Sequence, residues 1–538
     1  MKRFIEKAGE KTFDLIVVGG GITGAAVAYD AASRGLSVAL VEKGDFGGAT
    51  SAATSKMIHG GLRYLANKEF RLVRESLRER RILENIAPNF VYPTPALISN
   101  GSRDIRIGMF IYDLLSFDKG WTWDEGKKMP CHKALSFSRV TALEPAIRKE
   151  AIRDSVVYHD GISIAPERLT LAFLKSAVRC GALVANYARV DGFLFSGGKN
   201  ISGVRVTDLA ENRPIDLTGR LVVNCCGPWA DILLGQLKNE KTDKRARRSE
   251  GIHVITRKLV NHHIVSYITP AGKHVFLIPW RNHTLIGTTD REYIGDPDDF
   301  RVSGDAISTL LGDANLLLND KNAIRHKDVL FAYGGLRPLL EDQVADVYHS
   351  SRKYEVYDHG ANGLEGLITV EGGKYTTSRK LAENVMKTVE TKLKCELGKC
   401  RTGSSYLAGC EIRDMERFVQ RIIMENDDFE PKTVEFLGRN YGTEYGRVLD
   451  IARRDRSLAN PLDDDGEIAA QALFAIRNEM ALTLGDILFR RTGIGTIGHP
   501  GKEVVEAIAD VAATSLKWDR ARKKREIETV EERFTIPG

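Results

Sequence analysis

Phe13-Asp-Leu-Ile-Val-Val18, followed by Gly19-Gly-Gly-Ile-Thr-Gly24, decides how the N-terminal part of this chain folds. The apolar run predicts a strand and the alanine-rich stretch to Gly35 a helix. Val38–Val41 then reads as a second strand, ending in Glu42. In such a βαβ unit each glycine has a separate task. Gly19 permits the tight turn, Gly21 lets backbone approach a pyrophosphate, and Gly24 lets the helix pack closely on the sheet. Gly20 and Thr23 complete the loop. The helix N-terminus offers free N–H groups and the positive end of its dipole to a phosphate. Glu42, 18 residues past Gly24, is placed to accept hydrogen bonds from a ribose, with Lys43 beside it. A glycine triplet alone is a weak signal. Strand, helix, second strand and acid in register read as a dinucleotide site.

The chain has 538 residues, enough for two or three domains. A formal charge of +6 is small for this length and argues against nucleic-acid binding, while leaving room for a local basic patch. No run approaches the roughly 20 apolar residues that span a bilayer, and Met1–Lys11 lacks the apolar core of a secretory signal. The seven cysteines are scattered, with Cys225-Cys226 adjacent, and form no metal-ligand spacing, so no metal is expected and a reducing, cytoplasmic compartment fits.

Along the chain, residues 12–95, 150–250 and 330–400 read as a discontinuous nucleotide domain. Residues 96–149 and 251–329 read as a second, substrate-facing domain, and 405–538 as a helical C-terminal domain. Glu69–Ile86, Arg106–Leu115 and Ala165–Cys180 have helical periodicity; the apolar helix around Ile107–Leu115 could dip into lipid, but core burial is the expectation. Short alternating runs at His253–Ile255, His274–Ile278 and Thr284–Gly287 read as antiparallel strands. Gly366–Val370 reads as a strand, Glu371–Lys374 as a turn and Thr376–Leu393 as a helix. C-terminal helical runs are Met415–Met424, Thr433–Leu437, Ile468–Phe489 and Val504–Leu516.

Four segments carry groups suited to chemistry: Thr50–Tyr64 (TSAATSKMIHGGLRY), Arg248–His253, Gly334–Pro338 and Glu371–Thr377. Histidine is a natural general base, because its ordinary pKa lies near neutral pH. His59 and His253 are the two candidates. Arg63, Arg337 and Lys374 offer fixed positive charge.

Together with the glycine fingerprint, Ile58-His-Gly-Gly-Leu-Arg-Tyr64, Ile286-Gly-Thr-Thr-Asp290, Gly335-Leu-Arg-Pro-Leu339, Gly372-Gly-Lys374 and Asp486-Ile-Leu-Phe-Arg-Arg-Thr-Gly493 give a resemblance to the FAD-dependent, quinone-linked glycerol-3-phosphate dehydrogenase family and the related α-glycerophosphate oxidases. It covers about residues 12–515. The implied fold is α/β: a Rossmann-like FAD domain of the glutathione-reductase/D-amino-acid-oxidase type, an antiparallel-sheet substrate domain and a helical cap. The implied reaction is oxidation of sn-glycerol 3-phosphate to dihydroxyacetone phosphate. The resemblance favours His59 as base, with His253 orienting substrate. It assigns the phosphate to Arg63, Tyr64, Arg337, Lys374 and, at a further matching position, Arg352. Lys374 also suits the N1 side of a reduced flavin. Thr50, Ser51, Ser55 and Lys56 would line the pyrophosphate and isoalloxazine edge, and Gly227, Gly373 and Thr376 would bring backbone against the cofactor. FAD is favoured over NAD because the fingerprint opens a discontinuous domain.

The family's habits further imply electron transfer to quinone, peripheral attachment at the cytoplasmic face of the inner membrane, and a homodimer. The basic runs Lys244–Arg248 and Lys517–Arg525 are compatible with an anionic surface, and equally with solvated faces. Alternatives are an oxidase that passes electrons to oxygen, an amine or amino-acid oxidase of the wider fold, and a non-catalytic flavin protein.

Overall fold

The computed structural model describes residues 1–5, 11–98, 103–152, 155–237, 246–270, 272–339 and 353–538. Thr12–Val18 lies at the centre of an eight-stranded sheet, flanked in parallel by Val38–Val41 and Arg213–Asn224. Leu183–Ala185 and Leu367–Gly372 extend it, again in parallel. Tyr354–Asp358 closes one edge antiparallel. The strands alternate as period-2 geometry requires. Leu15, Val17, Leu221, Val223, Ile368 and Val370 meet helices Ile22–Ser33, Pro166–Arg179 and Ser378–Leu393. Ile16, Val18, Val222 and Leu367 instead meet the meander Ala188–Ser196/Asn200–Asp208.

A second, ten-stranded sheet is built on Arg247–Arg257, which pairs along its length with Val329–Leu339 and with His283–Gly287. It continues through His274–Trp280, Ile264–Ile268, Val91–Ile98 and Ser155–Ser163 to Met57–Ile58. Ile252 and Val254 pack under helix Gly304–Asn315, whose first turn is capped by Ser303. His253 and Ile255 point to the opposite face, which is how a histidine comes to face a cavity from a buried strand.

The strand pairings differ from the segment boundaries read in the sequence. Met57–Ile58, Val91–Pro95, Ser155–Ser163, Arg247–Glu250 and residues 330–339 were grouped with the nucleotide domain, yet all belong to the second sheet. Val91–Ile98 and Ser155–Ser163 pair antiparallel over eight residues, and that ladder satisfies their buried backbone groups. Gly304–Asn315 is a helix inside a region read as strands only. The Arg103–Leu115 helix also departs from its expected burial: Ile107, Phe110 and Leu114 are 52%, 65% and 63% exposed. Its inner face, with Met109 and Tyr112, is the buried one.

The C-terminal part is helical, and includes Tyr445–Arg454 and Arg520–Phe534, which the periodicity did not single out. The run Ile468–Phe489 divides into Ala470–Glu479, Leu484–Asp486 and a π turn at Ile487–Arg491. That turn aims Arg490 and Arg491 at one carboxylate. Asp45 receives Arg490 Nε at 2.6 Å and both Arg491 terminal nitrogens at 2.7 Å. Burial opposes ionisation of Asp45, but Arg491 and Arg490 outweigh it and hold the carboxyl below its ordinary range.

Removing one partner of a buried ion pair leaves an uncompensated charge and costs about 3–5 kcal/mol. Asp45→Asn should therefore lower unfolding stability by about that amount near neutral pH. Because the carboxyl is depressed in the folded state, the deficit should shrink as pH falls through its folded value. Denaturant unfolding at two pH values checks both points; equal stability at pH 7 would contradict the clamp.

Candidate active site

A cavity of about 550 Å³ runs between the two sheets. At one end lie Gly19, Gly21, Thr23, Glu42 and Lys43, and at the other His59, Arg63, Tyr64, His253, Arg337 and Lys374. Thr50, Ser51, Ser55, Gly227, Gly373 and Thr376 line the length between. Arg352 lies outside the described residues.

The glycine end is shaped by close backbone approach. A Cβ on Gly24 would stand 1.9 Å from the Gly19 carbonyl oxygen, so only glycine lets the Ile22–Ser33 helix settle against the first strand. Gly20 and Gly24 therefore serve the turn rather than the cavity wall. Gly21 precedes the first helical residue, and Ile22 N–H donates to Ser51 Oγ at 2.9 Å. Glu42 accepts the N–H groups of Gly20 at 2.6 Å and Gly44 at 2.8 Å, while burial pushes its pKa up. Lys43 sits at the mouth, paired with Asp298 at 2.6 Å and 4.5 Å from the Trp229 ring centre.

Lys56 differs from expectation. Its φ of 60° turns the side chain away from the cavity, to Glu167 at 2.6 Å and between the rings of Trp280 and Tyr333. Thr50 donates its hydroxyl to the Leu336 carbonyl at 2.6 Å, tying the loop to the second sheet.

At the far end the cations converge. Arg337 projects from Val329–Leu339 across Gly251, where a Cβ would meet the guanidinium at 1.9 Å. It donates to Thr288 Oγ1 at 2.7 Å and to the Thr289 carbonyl at 3.2 Å. Asp290 lies 3.4 Å from Arg63 and 3.5 Å from Arg337, and accepts the Ser249 hydroxyl. Lys374 Nζ lies 4.2 Å over the Tyr64 ring, and Arg63 lies 5.3 Å from the same ring centre. Buried Lys374 Nζ makes no hydrogen bond among the described residues, and desolvation lowers its pKa. A buried ammonium held without a hydrogen-bond acceptor is a site for an anion.

Both candidate bases are held neutral. Burial is the main cause of the fall of His59 to about 4, with Lys374, Arg63 and Arg80 adding to it and Asp160 opposing. Burial, then Arg337 and Lys56, push His253 well below its ordinary value. His253 Nε2 is 2.8 Å from Ser55 Oγ, and its ring stacks on Tyr333 at 5.0 Å. Neutral imidazoles beside several cations can accept a proton, while the cations favour a doubly charged anion.

Sequence reasoning passed over three lining residues. Asp290 sat within a quoted motif without a role. His274, held down at about 4 by burial and then Arg63, was read only as the start of a strand, and Tyr158 was not singled out. Alternation along His274–Trp280 placed His274 on the His253 side of the sheet, which was the available signal.

Comparison with known proteins gives matches over nearly the whole chain. The family model "FAD dependent oxidoreductase" matches residues 14–379, and "C-terminal domain of alpha-glycerophosphate oxidase" matches 400–523. A glycerol-3-phosphate dehydrogenase from Synechocystis is 32% identical, over 97% of this chain and 96% of its own length. An alpha-glycerophosphate oxidase from Streptococcus pneumoniae is 29% identical, over 96% of this chain and 95% of its own. The crystal structure of a glycerol-3-phosphate dehydrogenase from Bacillus halodurans complexed with FAD superposes with a TM-score of 0.78 at 25% identity, covering 99% of this chain and 96% of that one.

Proposed function

The chain belongs to the family of FAD-dependent glycerol-3-phosphate dehydrogenases and α-glycerophosphate oxidases, and we propose that it oxidises sn-glycerol 3-phosphate to dihydroxyacetone phosphate. The observation that carries this reading is the meeting of Arg63, Arg337 and Lys374 with His59 and His253 at one end of a cavity whose other end is a dinucleotide cradle.

The cradle suits FAD. Gly19, Gly21 and Thr23, at the N-terminus of the Ile22–Ser33 helix, would hold the pyrophosphate, with Ser51 beside them, and Glu42 the ribose. Thr50, Ser55, Gly227, Gly373 and Thr376 would border the rest of the cofactor. FAD, when bound, supplies the acceptor for the hydride that leaves the alcohol carbon.

The remaining work falls to the chain. Arg63, Arg337 and Lys374 bind the phosphate dianion, with Asp290 holding the two guanidiniums toward each other. Charge-assisted hydrogen bonds contribute about 1.5–3 kcal/mol each, so three suffice for a small ester without an extensive apolar pocket. A ring nitrogen of His59 takes the hydroxyl proton as the carbonyl forms. His253, fixed by Ser55 and Tyr333, orients the substrate.

We further propose quinone as the electron acceptor and an anionic membrane surface as the docking place. Among the described residues no helix is long and apolar enough to cross a membrane. The Arg103–Leu115 helix instead offers Ile107, Phe110 and Leu114 on its outer face, continued by exposed Phe117 and Trp121. Arg74 lies 4.4 Å from the Phe117 ring and Arg81 5.8 Å from that of Trp121. Both arginines are paired with Asp118, at 2.9 and 3.0 Å, so it is the exposed apolar ridge itself that has the chemistry of an interfacial helix. The seven cysteines are all unpaired, which supports a reducing compartment.

Arg337→Ala should raise KM for sn-glycerol 3-phosphate by roughly 10- to 100-fold, with flavin content unchanged; an unaltered KM would remove Arg337 from the substrate site. Turnover with a soluble quinone should yield far less than one peroxide per substrate. Stoichiometric peroxide in air would favour the oxidase reading instead. Phe110→Glu with Leu114→Glu should abolish sedimentation with phosphatidylglycerol vesicles and leave activity toward an artificial acceptor intact, whereas retained co-sedimentation would place the docking surface elsewhere.

A further inference from the structure

Tyr112 stands on the inner face of the Arg103–Leu115 helix and is 2% exposed. Its hydroxyl accepts the Gly60 backbone N–H at 3.0 Å and donates to Asp160 Oδ2 at 2.6 Å. The other Asp160 oxygen accepts from Arg80 Nη1 at 2.6 Å. A surface helix, the Ser155–Ser163 strand and the Phe70–Ile86 helix thus meet on the peptide that follows His59. There is no slack at this point. A Cβ on Gly60 would lie 2.4 Å from the Tyr112 oxygen and 2.6 Å from Leu77 Cδ2. On the other side, His59 N–H is turned to Thr376 Oγ1 at 3.4 Å. Tyr112, Asp160 and Arg80 themselves do not line the cavity.

We propose that Tyr112 and Asp160 are positioning residues, fixing the His59–Gly60 peptide and through it the direction of the His59 imidazole. The inference rests on the reading of His59 as proton acceptor. A hydroxyl whose proton is committed to a carboxylate has its lone pairs aimed elsewhere, here at one backbone N–H. Without that oxygen, the Gly60 N–H is buried without an acceptor and Asp160 loses a donor. The cheapest relief is a shift of the loop. Displacement of a reacting group by about 1 Å can cost up to about a hundredfold in rate.

Asp160 has a second, electrostatic part. The charged groups facing His59 are Asp160 from its strand, Lys374 ahead of the Ser378–Leu393 helix, Arg63 from Leu62–Ala66 and Arg80 from Phe70–Ile86. The three cations disfavour the imidazolium, and Asp160 is the carboxylate among them that favours it. Proton uptake at His59 is therefore stabilised by the residue that also anchors its loop.

The test is a double-mutant cycle on the FAD-loaded protein, reading the rate of flavin reduction at saturating sn-glycerol 3-phosphate without oxygen. Tyr112→Phe should slow reduction about tenfold while KM and flavin content stay within about twofold, and should have no further effect in a His59→Ala background. Equal losses in both backgrounds would mean a general structural role and overturn the proposal, as would a wild-type rate in Tyr112→Phe beside a slow His59→Ala. A wild-type rate in His59→Ala would overturn the base assignment, and the positioning role with it. Asp160→Asn should move the acid limb of the reduction rate to lower pH. It should likewise lower the His59 titration point followed by imidazole NMR in the substrate-free protein; an unmoved titration would overturn the electrostatic part. Should one variant fail to accumulate as folded protein, the other carries the test.

Discussion

The arginine pair on Asp45 is the contact on which the rest of the structure depends. Asp45 lies three residues after Glu42, at one end of the cavity, and five before Thr50, where the lining loop begins. Its carboxylate is taken by Arg490 and Arg491 of the C-terminal part and by the Asn186 amide at 3.0 Å. Arg491 also donates to the Glu479 carbonyl, and Glu479 takes Arg168 from the helix that covers the first sheet. Buried charges of this kind add little net stability against an apolar replacement, but they tolerate only one geometry. The C-terminal helices therefore act on the cavity without lining it, by setting the course of the chain between Glu42 and the lining segment Thr50–Tyr64.

That rigidity lets desolvation tune the site. Burial is the main reason that both rings stay neutral well below pH 7, and nearby cations add to it: Lys374, Arg63 and Arg80 at His59, Arg337 and Lys56 at His253. The resulting base is weak in the thermodynamic sense. This is acceptable where the hydroxyl proton leaves together with a hydride, because no alkoxide need persist. Substrate charge completes the balance. On the proposed roles, a phosphate dianion entering the pocket would offset the cations and raise the imidazole's affinity for a proton. Binding and base strength would thus be coupled through the same arginines and lysine.

The parts legible in the sequence are those set by short-range sterics. The Gly19–Gly24 turn, the helix it starts and the acid after the second strand follow from contacts within thirty residues, and Gly24 shows the reason in its approach to the Gly19 carbonyl. The histidine and cation segments were found as motifs, and the structure brings His59, Arg63, Tyr64, His253, Arg337 and Lys374 to one cavity end. Long-range pairing was not legible. Val91–Ile98 and Val329–Leu339 carry strand patterns that suit either sheet, and only their distant partners decide between them. Lys56 was misplaced because one left-handed residue reverses the direction of its side chain. The Arg103–Leu115 helix was misread because an apolar stripe carries no mark of which side it faces when both sides are apolar.

On the proposed membrane reading, that last element would link the protein's surface to the site. A helix with its side chains is only about 10–12 Å across. Here one face carries exposed Ile107, Phe110 and Leu114, and the other carries Tyr112, bonded to the peptide beside His59. In a water-soluble protein with no partner for this surface, such exposure would be a liability rather than a design. On the proposed docking, a lipid surface would remove the liability by covering the apolar ridge. The same docking would hold the helix, and with it Tyr112, against the catalytic loop. Under the proposed quinone acceptor, a water-soluble donor and a lipid-soluble acceptor would each meet its own face of this helix.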